Sequence, residues 1–316
     1  MNTFAPDRPL KLGTRNSPLA MAQAHEARAA LIAAHPGLSV ELVPVVASGD
    51  KVLDRPLAEI GGKALWTKEL DAWLLSGEID FAVHSLKDVE TLRPAEITIG
   101  AVLEREDVRD CLVGAASLAD LPAGARIGTS APRRAAQALN ARPDCHVVGF
   151  RGNVQTRLAK LASGEADVTL LALAGLNRLG RADVGTPLDP LLWLPAPGQG
   201  AIAIECRTND EQVRDLLAAI DHEPTHLAVR AERALLAALG GNCHSPIAVL
   251  STWAGEMMRL DAALFSPDGA EKVSAVHSFF PGDDTGPADL AAMLLDGAGP
   301  AIRAHFDPPD TPAYRG

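Results

Sequence analysis

Six arginines of this chain stand where strands should give way to helices. Arg15 follows Gly13-Thr14, and Arg133 and Arg134 follow Gly128-Thr129-Ser130. Arg151 opens Arg151-Gly152-Asn153, Arg157 lies one turn later, and Arg178 follows an apolar strand over 168–173. Open α/β sheets bind ligands at the carboxyl ends of their strands. Helix N-termini favour anions there, and a guanidinium grips a carboxylate with two parallel hydrogen bonds. One arginine in such a place is most often a surface ion pair. Six of them, in a chain of formal net charge −11, point to a ligand with several carboxylates.

Two further groups could do chemistry. His84-Ser85-Leu86-Lys87-Asp88 closes a strand over 79–85. A lysine beside an aspartate at the ligand-facing end of a sheet can bind an anion and move a proton, although a plain loop ion pair is the competing reading. His84 alternates with Ser85, so one of the two faces the core, and His84 reads as structural. Cys243 lies in the loop Gly240-Gly241-Asn242-Cys243-His244-Ser245-Pro246. An exposed thiolate there could be a nucleophile or an attachment point; a buried, inert cysteine is the alternative. Zinc on Cys243 with His222, His226 and His244 is disfavoured, because Pro224 should open a helix after His222 and separate the histidine faces. No metal site is expected. Gly198-Gln199-Gly200-Ala201-Ile202-Ala203 fits the loose G-x-G-x-x-A pattern but precedes a strand, so it carries no dinucleotide.

The elements that must position these groups alternate strand and helix. A strand over 10–15 leads to a helix with Ser17 as N-cap and Pro18 in its first turn, ending near His35 before Pro36-Gly37. A strand over 40–46, a polar loop over 48–63 that invites a mobile or functional role, a helix over 65–76 and the strand over 79–85 follow. The same grammar returns as strands over 126–130, 146–150 and 168–173 with helices over 131–141 and 154–163. Leu12-Gly13-Thr14 with Ala22-Gln23 echoes Ile127-Gly128-Thr129 with Ala136-Gln137, and Ser76-Gly77-Glu78 echoes Ser163-Gly164-Glu165. Two similarly built lobes would explain this; so would the ordinary likeness of strand–turn–helix units. Segments 104–110 and 191–200 read as crossings between lobes. Beyond about residue 220 the texture changes to a helix over 224–239, strands near 247–251 and 259–265, and a helix over 288–295.

Bulk properties narrow the field. The chain has 316 residues, enough for two or three domains. Its acidity and 4% aromatic content speak against nucleic acid. Residues 1–10 lack the apolar core of a signal peptide, no apolar run approaches a membrane span, and the four cysteines form no C-x-x-C pair. A reducing, cytoplasmic setting fits best.

Taken together, these motifs resemble the porphobilinogen deaminase (hydroxymethylbilane synthase) family. The likeness runs from Gly13-Thr14-Arg15-Asn16-Ser17-Pro18 through Gly61-Gly62-Lys63, His84 to Asp88, Arg133-Arg134 and Arg151-Gly152-Asn153. It continues through Arg178-Leu179-Gly180, Pro197-Gly198-Gln199-Gly200 and the cysteine loop. It implies three domains: two lobes like those of periplasmic binding proteins around a cleft, and a small α+β C-terminal domain. The boundaries expected are 1–103 with 199–219, 104–198, and 220–316. It implies a transferase that joins four porphobilinogen molecules head to tail, with loss of ammonia, to give hydroxymethylbilane for haem biosynthesis. A dipyrromethane cofactor would be attached to Cys243 by a thioether. By the same likeness Asp88 is catalytic, and Lys87, Ser85, Arg133, Arg134, Asn153 and Arg157 hold the cofactor. Arg15, Ser17, Arg151, Arg157 and Arg178 face the incoming substrate. A monomer that passes its product to uroporphyrinogen-III synthase is implied, with neither membrane nor nucleic acid as partner. The chain departs from many members at Ser130-Ala131-Pro132, where Ala131 offers no hydroxyl, and at Glu59, where some relatives have lysine. A two-lobed, non-catalytic anion binder is the alternative; it has no use for Cys243 or Asp88.

Overall fold

The computed structural model describes residues 8–46, 67–283 and 285–306. The 48–63 loop, with Glu59 and Gly61-Gly62-Lys63, lies outside the described residues.

In chain order the strands are β1 (Leu10–Arg15), β2 (Val40–Val45), β3 (Phe81–Ser85), β4 (Ile97–Val102), β5 (Asp110–Val113), β6 (Arg126–Gly128) and β7 (His146–Val148). They continue with β8 (Val168–Ala172), β9 (Thr186–Pro187), β10 (Ile202–Arg207), β11 (Ile247–Ala254), β12 (Met257–Phe265) and β13 (Lys272–Phe279). The α-helices are α1 (Pro18–Ala34), α2 (Lys68–Ser76), α3 (Pro132–Ala141), α4 (Val154–Ala162), α5 (Leu173–Arg178), α6 (Glu211–Ala218), α7 (Glu223–Ala238), α8 (Gly286–Gly297) and α9 (Pro300–Arg303).

Two five-stranded sheets share one plan. The first has the order β2-β1-β3-β10-β4, the second β7-β6-β8-β5-β9. In each, three neighbouring strands run parallel and the fourth runs antiparallel to the third. The fourth strand of each sheet lies beyond a crossing of the chain: β5 follows 103–109, and β10 follows 188–201. The internal echo noted in the sequence is therefore a shared fold. Gly77 and Gly164, at its second pair of motifs, both take the left-handed conformation that ends a helix, with φ of 78° and 76°. Each sheet buries its own core, with Leu12, Leu31, Phe81 and Ile204 in the first and Leu112, Ile127, Leu170 and Trp193 in the second.

The remainder is an antiparallel meander, β11-β12-β13, packed by α7 and α8. Leu235, Leu239, Val249, Leu260, Leu264, Leu290 and Leu294 form its core. Strand β13 escaped sequence reading. It lies at the sheet edge and alternates exposed with half-buried residues, so no apolar face announces it. The architecture is thus α/β in two lobes, with a small α+β C-terminal unit.

Both crossings are tightly packed. Gly198 and Gly200 have positive φ (70° and 87°), and a Cβ at Gly198 would lie 3.2 Å from the Lys87 backbone nitrogen. A side chain at either position would push the crossing off the strands it touches and displace Gln199, which it inserts between the lobes with no exposed surface.

Candidate active site

The carboxyl ends of β1, β3, β6, β7 and β8 open onto one cleft of about 530 Å³, within the usual size of ligand sites. Arg15, Ser17, Lys87, Asp88, Arg133, Arg134, Arg151, Asn153, Arg157 and Cys243 all line it. Ser85 lies in an annex of about 60 Å³ that shares Arg15, Ser17 and Asp88 with the main cleft.

Local sequence explains each placement. Ser17 caps α1, accepting from the Ala20 amide at 3.4 Å, and Pro18 presets the first turn. Lys87 and Asp88 sit on a single 3₁₀ turn over Leu86–Asp88, directly after β3. Asn153 caps α4: its Oδ1 accepts from the Thr156 amide at 2.9 Å, which starts the helix that carries Arg157. Gly128 permits the close packing of β6, because a Cβ there would meet the Phe150 ring at 2.6 Å.

The electrostatics are lopsided. Among the described residues, six cationic side chains line the cleft against one carboxylate, Asp88. Burial, reinforced by Arg134, lowers Lys87 to about 8 and Arg157 to about 10. Burial also lowers Arg133, against the pull of Asp110. Cations that depress one another's pKa form a site built for polyanions.

Asp110, missed by sequence reading, organises this charge. Its carboxylate is buried and accepts from Arg133 Nη2 at 2.8 Å, Arg134 Nη2 at 2.7 Å, Trp193 Nε1 at 2.9 Å and Gln199 Nε2 at 2.8 Å. Lys87 Nζ donates to Gln199 Oε1 at 3.3 Å, so one glutamine joins the lysine of the first lobe to the aspartate of the second. Despite the cost of burial, the two guanidinium groups hold the Asp110 carboxyl far below the usual range. Gln23, also missed, pairs with Ser85 in the annex at 2.8 Å. Its signal was present in the Ala22-Gln23 half of the internal echo, whose other half, Gln137, is likewise buried and donates to Leu194 O at 3.0 Å.

Two expectations change. Arg178 is not among the cleft-lining residues: its Nε donates to Glu26 Oε2 at 3.0 Å, and both terminal nitrogens donate to Gly200 O at 3.2 Å. It ties α5 to α1 and to the second crossing. Cys243 is exposed, as a reactive residue should be, but it is no thiolate: surrounding protein, then Asp88 and Glu90, push its thiol up to about 12. His84 has a structural place, with Nε2 buried 3.3 Å from Glu205 Oε2. His222 meets Thr225 and His226 meets Asp221, each at 2.8 Å, and among the described residues no three-ligand metal group occurs.

A two-lobed α/β fold with an arginine-rich interlobe cleft, one central carboxylate and a cysteine on its wall defines a class: an enzyme that works on a small polycarboxylate and can tether it. The family description "Porphobilinogen deaminase, dipyromethane cofactor binding domain" matches residues 10–215, and "Porphobilinogen deaminase, C-terminal domain" matches 226–284. The porphobilinogen deaminase of Sphingopyxis alaskensis is 59% identical, over 97% of this chain and 99% of that one. That of Paracoccus denitrificans is 48% identical over 92% and 93%. Among solved structures, the Bordetella pertussis BvgS periplasmic VFT2 domain aligns at TM-score 0.40 and 18% identity, over 67% of this chain and 86% of that one. A TRAP periplasmic solute binding protein from Desulfovibrio salexigens aligns at 0.41 and 11%, over 70% and 74%. The chain belongs to the porphobilinogen deaminase family. It is a transferase of tetrapyrrole biosynthesis that polymerises porphobilinogen to hydroxymethylbilane and uses a dipyrromethane cofactor.

The cleft suits that cofactor: a polycarboxylate needs the cations found here, and a tether needs a side chain such as Cys243 on the same wall. The raised thiol has a measurable consequence. In cofactor-free protein at pH 8, iodoacetamide should label Cys243 at least about a hundredfold more slowly than glutathione, because reactivity follows the thiolate fraction. Intact mass after timed quenching reads this, and labelling as fast as glutathione would contradict the electrostatics described.

Proposed function

We propose that Asp88 is the catalytic carboxylate, that Cys243 carries the dipyrromethane, and that the cleft cations divide between primer and substrate. The observation that carries this is that, among the described residues, one carboxylate stands among six cations on the wall that also holds Cys243. Lys87, Arg133, Arg134, Asn153 and Arg157 would hold the cofactor's carboxylates, with Arg133 and Arg134 aimed by Asp110. Arg15, Ser17 and Arg151 would orient porphobilinogen. Ser85 is better placed with them, since the annex it lines with Arg15 and Ser17 has room for one short carboxylate arm. Arg178 would act at the lobe junction through Glu26 and Gly200.

When bound, the dipyrromethane supplies the pyrrole carbon to which the first substrate unit is joined. The protein's part is electrostatic. As ammonia leaves porphobilinogen, positive charge develops on the pyrrole nitrogen, and a fixed carboxylate at Asp88 stabilises it. The same Oδ atoms can take up the proton that the joined pyrrole carbon must lose. Arginines that neutralise the acid side chains turn binding into orientation.

We also propose the division 1–103 with 199–219, 104–198 and 220–316, supported by the sheet to which each strand belongs. A monomer is proposed because one chain brings both the cations and Cys243 to the same cleft, and a cytoplasmic setting because all four cysteines are unpaired. Product would pass to uroporphyrinogen-III synthase; a coupled assay with that enzyme should yield the cyclised tetrapyrrole. Light scattering that found a dimer as the active species would remove the monomer.

Intact mass tests the tether. The purified protein should exceed its sequence mass by one dipyrromethane, and Cys243→Ser should lack that increment. Active protein of unmodified mass would refute the assignment.

A further inference from the structure

The Asp88 turn and the Cys243 loop come from different parts of the chain, and one buried connection joins them. Arg233, on α7, is 4% exposed and points into the first lobe. Its Nη2 donates to Glu90 O at 2.7 Å and Thr91 O at 3.0 Å, and its Nη1 to Val89 O at 3.4 Å. Three successive carbonyls just past Asp88 thus converge on one guanidinium. Thr91, 6% exposed, turns the other way: its Oγ1 donates to Gly241 O at 3.1 Å, two residues before Cys243.

Both ends of this connection are short and braced. On the Asp88 side, the Val89 amide closes the 3₁₀ turn onto Leu86 O at 3.1 Å. On the cysteine side, the Gly241 amide donates to Leu236 O at 2.8 Å, the Asn242 amide to Ser245 Oγ at 2.9 Å, and the His244 amide to Asn242 Oδ1 at 2.8 Å. Gly241 has no room for a side chain, since a Cβ would lie 2.6 Å from Leu236 Cδ1.

We infer that Thr91 and Arg233 are positioning residues that hold the cysteine loop in register with the Asp88 turn, and so set where a chain tethered at Cys243 first presents its end to Asp88. The inference rests on the roles of Asp88 and Cys243 proposed above. Register of this kind acts on rate, because a misplacement of about 1 Å can cost up to a hundredfold. It leaves substrate affinity alone, since neither residue is among those lining the cleft.

Thr91→Val keeps the shape and removes the hydroxyl. It should retain the full dipyrromethane mass, slow the first porphobilinogen addition about tenfold in single turnover, and leave KM unchanged. Thr91→Ser should recover most of that rate. Quenched-flow with intact-mass detection reads loading and first addition in one experiment. A wild-type first-addition rate in fully loaded Thr91→Val would overturn the inference, and so would a Thr91→Ser variant as slow as Thr91→Val. If Thr91→Val does not fold, Arg233→Lys provides the second test: it should load fully and slow the first addition at unchanged KM, and a wild-type rate would overturn the inference. Wild-type protein without the dipyrromethane mass would fell the tethering role itself, a result distinct from any change in rate at full loading.

Discussion

Asp88→Ala should fold, carry its dipyrromethane and turn over porphobilinogen on the order of a thousandfold more slowly than the wild type. The fold should survive because Asp88 is half-buried at the cleft surface, on a turn closed by backbone bonds alone. The rate should fall because, among the described residues, no other carboxylate lines the cleft, and the charges that line it with Asp88 are cations that oppose a cationic pyrrole. Asp88→Asn separates charge from shape: it keeps the volume, loses the negative charge and should be nearly as slow. Stopped-time assays of hydroxymethylbilane on protein of verified mass and melting temperature measure both variants. A turnover within tenfold of wild type in either would remove Asp88 from the chemistry.

Asp110→Ala should instead lose stability, by about 3–5 kcal/mol, because it strands two buried guanidinium groups without a counter-ion. Arg133 and Arg134 are 5% and 4% exposed, so most of each guanidinium stays packed in the protein. Trp193 and Gln199 would lose an acceptor as well. Asp110→Asn should fall between the two, since it keeps volume and one oxygen. The sign with pH follows from the depressed Asp110 carboxyl. A depressed acid adds stability above its unfolded pKa, about 4, and loses that stability only as pH falls toward its folded value. The gap between wild type and Asp110→Ala should therefore be full at pH 7 and persist at pH 5. Urea titration at both pH values measures it. A difference below about 1 kcal/mol would mean that the arginines find other partners.

The two expected losses differ in kind because the two aspartates face different ways. Asp110 lies behind the arginines and consumes charge to aim them. Asp88 lies in front, where substrate charge changes during the reaction. Burial first, and then repulsion from Arg134, lowers Lys87 and Arg157, so the packed cations of the cleft carry a cost. A polycarboxylate ligand relieves it, so bound primer should stabilise the lobes against one another.

Much of this was legible in residue order. The alternation of strand and helix, the helix starts at Pro18 and Pro132, and the arginines after strands follow from short-range rules of capping and sheet topology. Those rules act over a few residues, so a linear reading reaches them. Asp110 and Gln199 were not legible in that way: they lie 89 positions apart, and their hydrogen bond exists only because two crossings pass side by side. The same limit hid the partner of Arg178, whose position after a strand is ordinary but whose Glu26 lies 152 positions away.

The order of residues by itself determined which side chains could bind a polyanion, which elements would carry them, and, through motif likeness, the family. Only the tertiary structure decided that Cys243 faces the cleft as a protonated thiol, that Asp110 rather than solvent balances Arg133 and Arg134, and that Arg178 braces the lobes. The physical reason is that charge and desolvation depend on every group packed within a few ångströms, whatever its distance along the chain.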